Sequence, residues 1–159
     1  MKVELEKALQ QSLHGEVADS IVETIRIQME QWGLSMPDVP PLVFDFGLGD
    51  VLNIGETEYW IANEIEEGYC GKYMFLLKGQ TCPEHYHDMK HETFFIVKGK
   101  VRMTSDGTSW SMLPGDVYAV KPTIKHTFTA EEHSLILEIS KPSLIADNVF
   151  SDKDTGYNR

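Results

Sequence analysis

The sequence predicts an all-β-dominated fold, an antiparallel sandwich or small barrel preceded by an N-terminal helical segment. Two observations predict it. The spacing of apolar residues changes from three or four to two at Val39-Pro40-Pro41. Beyond that point, short runs rich in β-branched and aromatic residues alternate with turn formers, with no helical pattern between them to build βαβ units.

The helical segment comes first. Between Glu16 and Trp32 the apolar residues Val17, Ile21, Ile25, Ile27, Met29 and Trp32 recur mostly three or four apart, the spacing that gathers side chains on one helix face. Gly33 follows as a helix-ending residue should, and Pro37 lies just beyond. A shorter helix is expected from about Val3 to Leu13. Pro40 and Pro41 then stop helix formation twice, since proline lacks the N–H and restricts the residue before it. Strands are expected at Leu42–Phe46, Glu58–Ala62, Tyr73–Leu77, Thr93–Val97, Val101–Thr104, Val117–Val120, His126–Thr129 and Leu135–Ile139. Gly47-Leu48-Gly49-Asp50, Gly68, Gly79, Gly99, Ser105-Asp106-Gly107 and Pro114-Gly115-Asp116 separate them. Residues 1–40 therefore read as an arm packed on a barrel domain of residues 41–159, one domain overall without repeat or linker. The tail Ser151–Arg159 is polar and loosely held unless it packs on the barrel.

Composition narrows the function classes. The 159 residues are 42% apolar and 25% charged, as in an ordinary soluble globular protein. A net charge of −11, from 14 Lys+Arg against 25 Asp+Glu, argues against a nucleic-acid partner, because such binding releases counterions through basic side chains. No apolar run approaches the ~18 residues of a membrane span. The start MKVELEKALQQSLHGEV alternates charges and so does not read as a secretory signal. Cys70 and Cys82 make no disulfide framework and read as reduced thiols, so a cytoplasmic location is expected.

The stretch from Gly79 to Gly99, GQTCPEHYHDMKHETFFIVKG, carries chemistry. His85 and His87 are two apart, so an extended strand points both imidazoles to one face. Glu92 follows after a span suited to a tight turn, and it shares a face with Phe94 and Ile96. A charged group at the head of an inward apolar row is seldom left unpaired or free of metal. His126 shares a face with Phe128 and Ala130. Three imidazoles and one carboxylate, with positions left for water or substrate, suit Mn²⁺, Fe²⁺, Co²⁺, Ni²⁺ or Zn²⁺ better than Ca²⁺ or Mg²⁺. The spacing Gly79, five residues, His85, one, His87, four, Glu92, six, Gly99 matches the first motif of the cupins at every fixed position. Pro114-Gly115, Pro122 and His126 resemble the second cupin motif, although Pro122-Thr123-Ile124-Lys125-His126 is one residue short and lacks the usual glycine. That resemblance implies a cupin β-barrel, a double-stranded β-helix or jelly roll.

Two further residues bear on the reaction, because a cupin barrel alone does not name one. Alternation along Leu135–Ser140 puts Ile136, Glu138 and Ser140 on one face; Glu138 is an interior carboxylate if that face points inward and a surface acid if it does not. Lys90, in the turn before Glu92, is either solvated or turned toward the site. The chain resembles the D-lyxose isomerase family of cupins. The similarity runs from Phe44-Asp45-Phe46-Gly47-Leu48-Gly49 through Tyr69-Cys70, GQTCPEHYH, Lys90-His91-Glu92-Thr93-Phe94 and Lys125-His126 to Glu138, and on to Asp147–Asp152. It implies an aldose–ketose isomerase for D-lyxose/D-xylulose and D-mannose/D-fructose. It also implies that His85, His87, Glu92 and His126 hold a divalent metal, usually manganese, and that Lys90 and Glu138 transfer protons.

Such a reaction moves a proton between C1 and C2 through a cis-enediolate, whose adjacent oxygens a divalent metal can stabilise. Glu138 is the first choice for the carbon-bound proton and Lys90, expected to have a depressed pKa, for the proton on O1 or O2; which moves which stays open. Tyr86, Phe94 and Phe128 are candidates for sugar contact, with Tyr118 and Trp60 also available. Lys121, Lys125 and Arg102 are scattered and no phosphate loop is present in the sequence, which favours a free sugar. The alternatives are a metal-containing sugar-binding or sensor cupin without turnover, a cupin dioxygenase, and a phosphosugar isomerase. Short edge strands and the helical arm make a homodimer the expected assembly.

Overall fold

The structure, a computed structural model, describes residues 2–156; Met1 and the last three residues of the polar tail lie outside the described residues. Helices α1 (Lys2–Gln11) and α2 (Glu16–Gln31) precede β1 (Pro41–Phe44), β2 (Glu56–Glu64), β3 (Tyr69–Leu76), β4 (Thr81–Tyr86) and β5 (Glu92–Lys98). Then come β6 (Val101–Ser105), β7 (Thr108–Met112), β8 (Val117–Val120), β9 (His126–Ala130) and β10 (Ser134–Ser140). A 3₁₀ turn at Ile145–Asp147 and the two-residue β11 (Val149–Phe150) finish the order. The strands form two antiparallel sheets, ordered β1-β2-β3-β10-β5-β8 and β11-β4-β9-β6-β7. The fold is mostly β with short N-terminal helices. Among the described residues, no helix is long and apolar enough to cross a membrane.

The helix α2 buries Ala18, Ile21, Ile25 and Met29 against Val43, Tyr59, Phe75 and Leu135 of the six-stranded sheet. Val17 and Ile27, grouped with that stripe on spacing alone, are 56% and 43% exposed, because steps of three and four from Ala18 leave them on the far side. The helix ends where Gly33 takes φ 68°, which a residue without Cβ adopts at little cost. The helix α1 turns inward instead, placing Ala8 in the core between the sheets with Leu5 and Leu9 packed against it. Its end is tied to β1: Leu13 donates to the Val43 carbonyl at 2.7 Å, and Val43 N–H donates to Ser12 Oγ at 2.9 Å.

Between the sheets lie Phe44, Trp60, Met74, Phe94, Ile96 and Ile136 from one layer and Cys82, Val101, Met103, Met112 and Phe128 from the other. Each large apolar side chain buried there contributes about 1.5–3 kcal/mol. Three strands carry no β-rich run in the sequence. The strand β4 contains Pro83, which lacks a ladder donor and falls within the register shift between Cys82 and His85. The polar strand β7 runs along a sheet edge, and β11 is only two residues long. Gly99, at φ 82°, has no room for a side chain: a Cβ there would collide with the His133 carbonyl and Ser134.

Candidate active site

The pairing of β4 with β9 sets His85 opposite His126, while His87 follows the end of β4 and Glu92 opens β5. Strand alternation, continued one residue past β4, brings His85 and His87 inward, and all four side chains are buried. Ring centroids lie 4.2 Å apart for His85–His126, 5.0 Å for His85–His87 and 5.8 Å for His87–His126. Each Nδ1 faces a backbone carbonyl: Pro83 at 2.8 Å for His85, Asp147 at 3.0 Å for His87 and Ile124 at 3.0 Å for His126. Donation to those carbonyls fixes the tautomer that leaves Nε2 as the free lone pair, the arrangement metal-binding imidazoles use.

Glu92 completes the set, with Oε1 3.2 Å from His87 Nε2 and Oε2 3.1 Å from His126 Nε2. The ligand atoms of these four residues lie within 4.8 Å of one another. His87 Nε2, His126 Nε2 and Glu92 Oε2 are buried without a hydrogen-bond partner, so the donor atoms fit a divalent ion. The electrostatics agree. Burial, reinforced by His126 and His87, pushes His85 well below its ordinary value and keeps the imidazole neutral. Burial opposes charge on Glu92, yet the neighbouring Lys90 ammonium holds its carboxyl well below the usual range. The loop before His126 compensates for its missing glycine through Thr123, which takes φ 68° and donates its N–H to the His87 carbonyl at 2.7 Å.

The turn between His87 and Glu92 is shaped from a distance. Asp147, in the 3₁₀ turn, accepts hydrogen bonds from three successive backbone N–H groups: Asp88 at 2.9 Å, Met89 at 3.2 Å and Lys90 at 3.1 Å. This grip turns Lys90 inward to 3% exposure, so the solvated reading of that lysine does not hold. Its Nζ lies 2.6 Å from Glu138 Oε1 and 2.8 Å from Glu92 Oε1. Burial alone would lower the lysine, but Glu138 and Glu92 outweigh it and raise its pKa, the opposite of the depression expected. Glu138 is 1% exposed beside Ile136 and Ser140, while Ile139 is 57% exposed, which settles the facing of β10. Ser140 Oγ donates to Glu138 Oε1 at 2.7 Å.

Three further charged residues share the cavity, and the sequence reading passed over them. Lys72 Nζ bridges Glu138 Oε2 at 3.1 Å and Glu58 Oε1 at 2.7 Å. Glu58 Oε2 accepts from Trp60 Nε1 at 2.6 Å, and Glu56 stands two residues before Glu58 on the same face of β2. The signal was present: Glu56, Glu58 and Trp60 alternate in a strand, and Lys72 lies opposite Trp60 on one side and Glu138 on the other. Both faces of β2 are buried, so alternation gave no apolar contrast to mark the inner one. Of the aromatic candidates, Phe94, Phe128 and Trp60 line the cavity. Tyr86 does not, because it alternates with His85 and His87 and points to the opposite face of β4. Tyr118 is not among the lining residues either; its ring lies 4.7 Å from that of Trp110, edge to face.

Comparison with known proteins adds independent findings. Residues 72–139 match the cupin domain family. The D-lyxose/D-mannose isomerase of Thermosediminibacter oceani is 33% identical over 138 residues, covering 69% of this chain and 75% of that protein. The D-lyxose ketol-isomerase of a Thermofilum species is 30% identical over 139 residues, covering 69% and 76%. The crystal structure of an Acinetobacter L-ribose isomerase in complex with L-ribose superposes with a TM-score of 0.70, covering 91% of this chain and 95% of that one at 13% identity, a likeness of fold.

Proposed function

The chain belongs to the D-lyxose isomerase family of cupins, and from that premise we propose that it is a metal-dependent aldose–ketose isomerase for D-lyxose/D-xylulose and D-mannose/D-fructose. One observation carries the reading beyond a binding module. Glu138 stands inside the barrel with an ammonium group on each of its oxygens, beside a buried His/His/Glu/His set. A protein that only held a metal and a sugar would gain nothing from that arrangement, and burying it costs several kcal/mol per ion before pairing.

In this reading His85, His87, Glu92 and His126 hold the ion, with manganese the first candidate. When bound, the ion supplies Lewis-acid stabilisation of the negative charge that develops on O1 and O2. Glu138 removes the proton from C2 of the aldose and returns it to C1, giving the ketose. Lys90, an ammonium beside Glu92, donates a proton to O1 and accepts the one released from O2. Lys72 holds Glu138 in place, and Phe94 and Phe128 exclude water and face the C–H side of the sugar. The working unit in this reading is a cytoplasmic homodimer in which residues 1–40 form an arm on the cupin domain 41–159.

Incubation of the manganese-loaded protein with D-lyxose or D-mannose in D₂O tests the proposal. Deuterium should enter C1 of the ketose, with loss in Glu138→Gln. Lys90→Met should keep its metal and lose most turnover. Sugar binding without label exchange across a panel of free pentoses and hexoses would replace the isomerase with a sensor.

A further inference from the structure

Among the described residues, two buried carboxylates have an oxygen without a hydrogen-bond partner: Glu92, through Oε2 in the metal set, and Glu56, through its own Oε2. The other interior carboxylates are satisfied. Glu58 has Lys72 and Trp60, Glu138 has Lys90, Lys72 and Ser140, and Asp147 has three backbone N–H groups. A polar oxygen removed from water without a partner destabilises a fold, so an exception on a cavity wall calls for a ligand group to meet it.

Glu56 lines the same cavity as the proton-transfer residues and is itself 4% exposed. Along the cavity wall it is reached from Glu138 through Lys72 at 3.1 Å, then through Glu58 at 2.7 Å from Lys72, and then along β2. A sugar whose C1 and C2 lie over the Glu138–Lys90 pair would extend its remaining hydroxyls along this wall. We propose that Glu56 is a specificity-determining residue, whose free carboxyl oxygen hydrogen-bonds a hydroxyl of the substrate beyond C2 and so selects among sugar epimers. The proposal rests on the isomerase reading for the direction in which the sugar lies. Burial, reinforced by the neighbouring Glu58 and opposed by Lys72, raises Glu56 well above the usual carboxyl range.

A direct test separates this proposal from the reaction itself. D-arabinitol, the alditol of D-lyxose, keeps the distal hydroxyls but has no carbonyl to isomerise. Its binding to the manganese-loaded protein is measured by calorimetry for wild type, Glu56→Leu and Glu56→Gln. A site that loses its hydrogen-bonding group should bind about tenfold or more weakly in Glu56→Leu, with recovery to within about threefold in Glu56→Gln. Glu56→Ala serves the same comparison if the leucine variant misfolds. Kinetically, Glu56→Leu should raise KM and flatten the preference of D-lyxose over its C3 and C4 epimers, with kcat little changed. Equal D-arabinitol binding by wild type and Glu56→Leu, or none by either, overturns the proposal. Absence of deuterium exchange in wild type overturns the isomerase reading instead, and the D-arabinitol comparison still decides the role of Glu56.

Discussion

Thr123 holds the left-handed φ that a glycine would adopt freely, and it does so one turn before a candidate metal ligand. A β-branched residue in that region costs about 1–2 kcal/mol. Glycine would relieve the cost but add about 0.5–1 kcal/mol of unfolded-state entropy. Thr123→Gly should therefore stabilise the protein by a few tenths to about 1 kcal/mol in urea unfolding; a clear loss of stability would show that the threonine side chain contributes more than its backbone costs. Glu56 gives a pH test. Its carboxyl group is raised in the folded state, so its contribution to stability is present below about pH 4.5 and is lost as pH rises toward the folded value. Glutamine does not titrate. The stability difference between Glu56→Gln and wild type should therefore move in favour of the variant as pH rises from 4 to 8, and a difference that stays flat would mean that the carboxyl is not shifted. The convergence of His85, His87, Glu92 and His126 was legible residue by residue, because motif spacing and strand alternation act on the same four positions. The facing of Lys90 was not, since a turn residue has no periodicity to read and its burial depends on Asp147, 57 positions away.

At the scale of elements, the segment from Ser143 to Phe150 does more than close the chain. It lines the cavity through Ser143, Ile145, Asn148 and Phe150, and it fixes both His87 and the following turn through Asp147. Removing that carboxylate leaves three N–H groups to find new partners. Asp147→Ala should cost about 2–3 kcal/mol, speed amide hydrogen exchange at Asp88, Met89 and Lys90, and reduce turnover. Unchanged exchange at those amides would show that the turn holds its shape without the clamp. The main strands were legible from β-branched runs and the helices from their spacing. The missed strands have physical reasons: β4 is interrupted by proline at a register shift, and β7 is a polar edge whose pairing with β6 comes from the hairpin at Asp106-Gly107.

Across the whole molecule, the barrel interior is an apolar core cut by a band of charge. Glu58 and Glu92 face Lys72 and Lys90 inside it, with Glu138 between the two lysines. No composition figure reveals such a band, because the surface carries most of the 25 acidic residues and masks the few within. A divalent ion bound by the folded state alone would stabilise it by mass action. At a hundred times its Kd the gain is about 2.7 kcal/mol, or roughly 5–10 °C for a domain of this size. Thermal melts with manganese and after chelation should differ by that amount, and coincident melts would argue against a resident ion. The two extremities of the described chain also converge: Ile145 N–H donates to Glu4 Oε2 at 2.8 Å, close to the turn that grips the His87 loop. During synthesis the ribosome makes His87 60 residues before Asp147, so a nascent chain that has already zipped its early strands still lacks the clasp that orients this imidazole. The His87 loop therefore takes its final shape only once Asp147 has joined it.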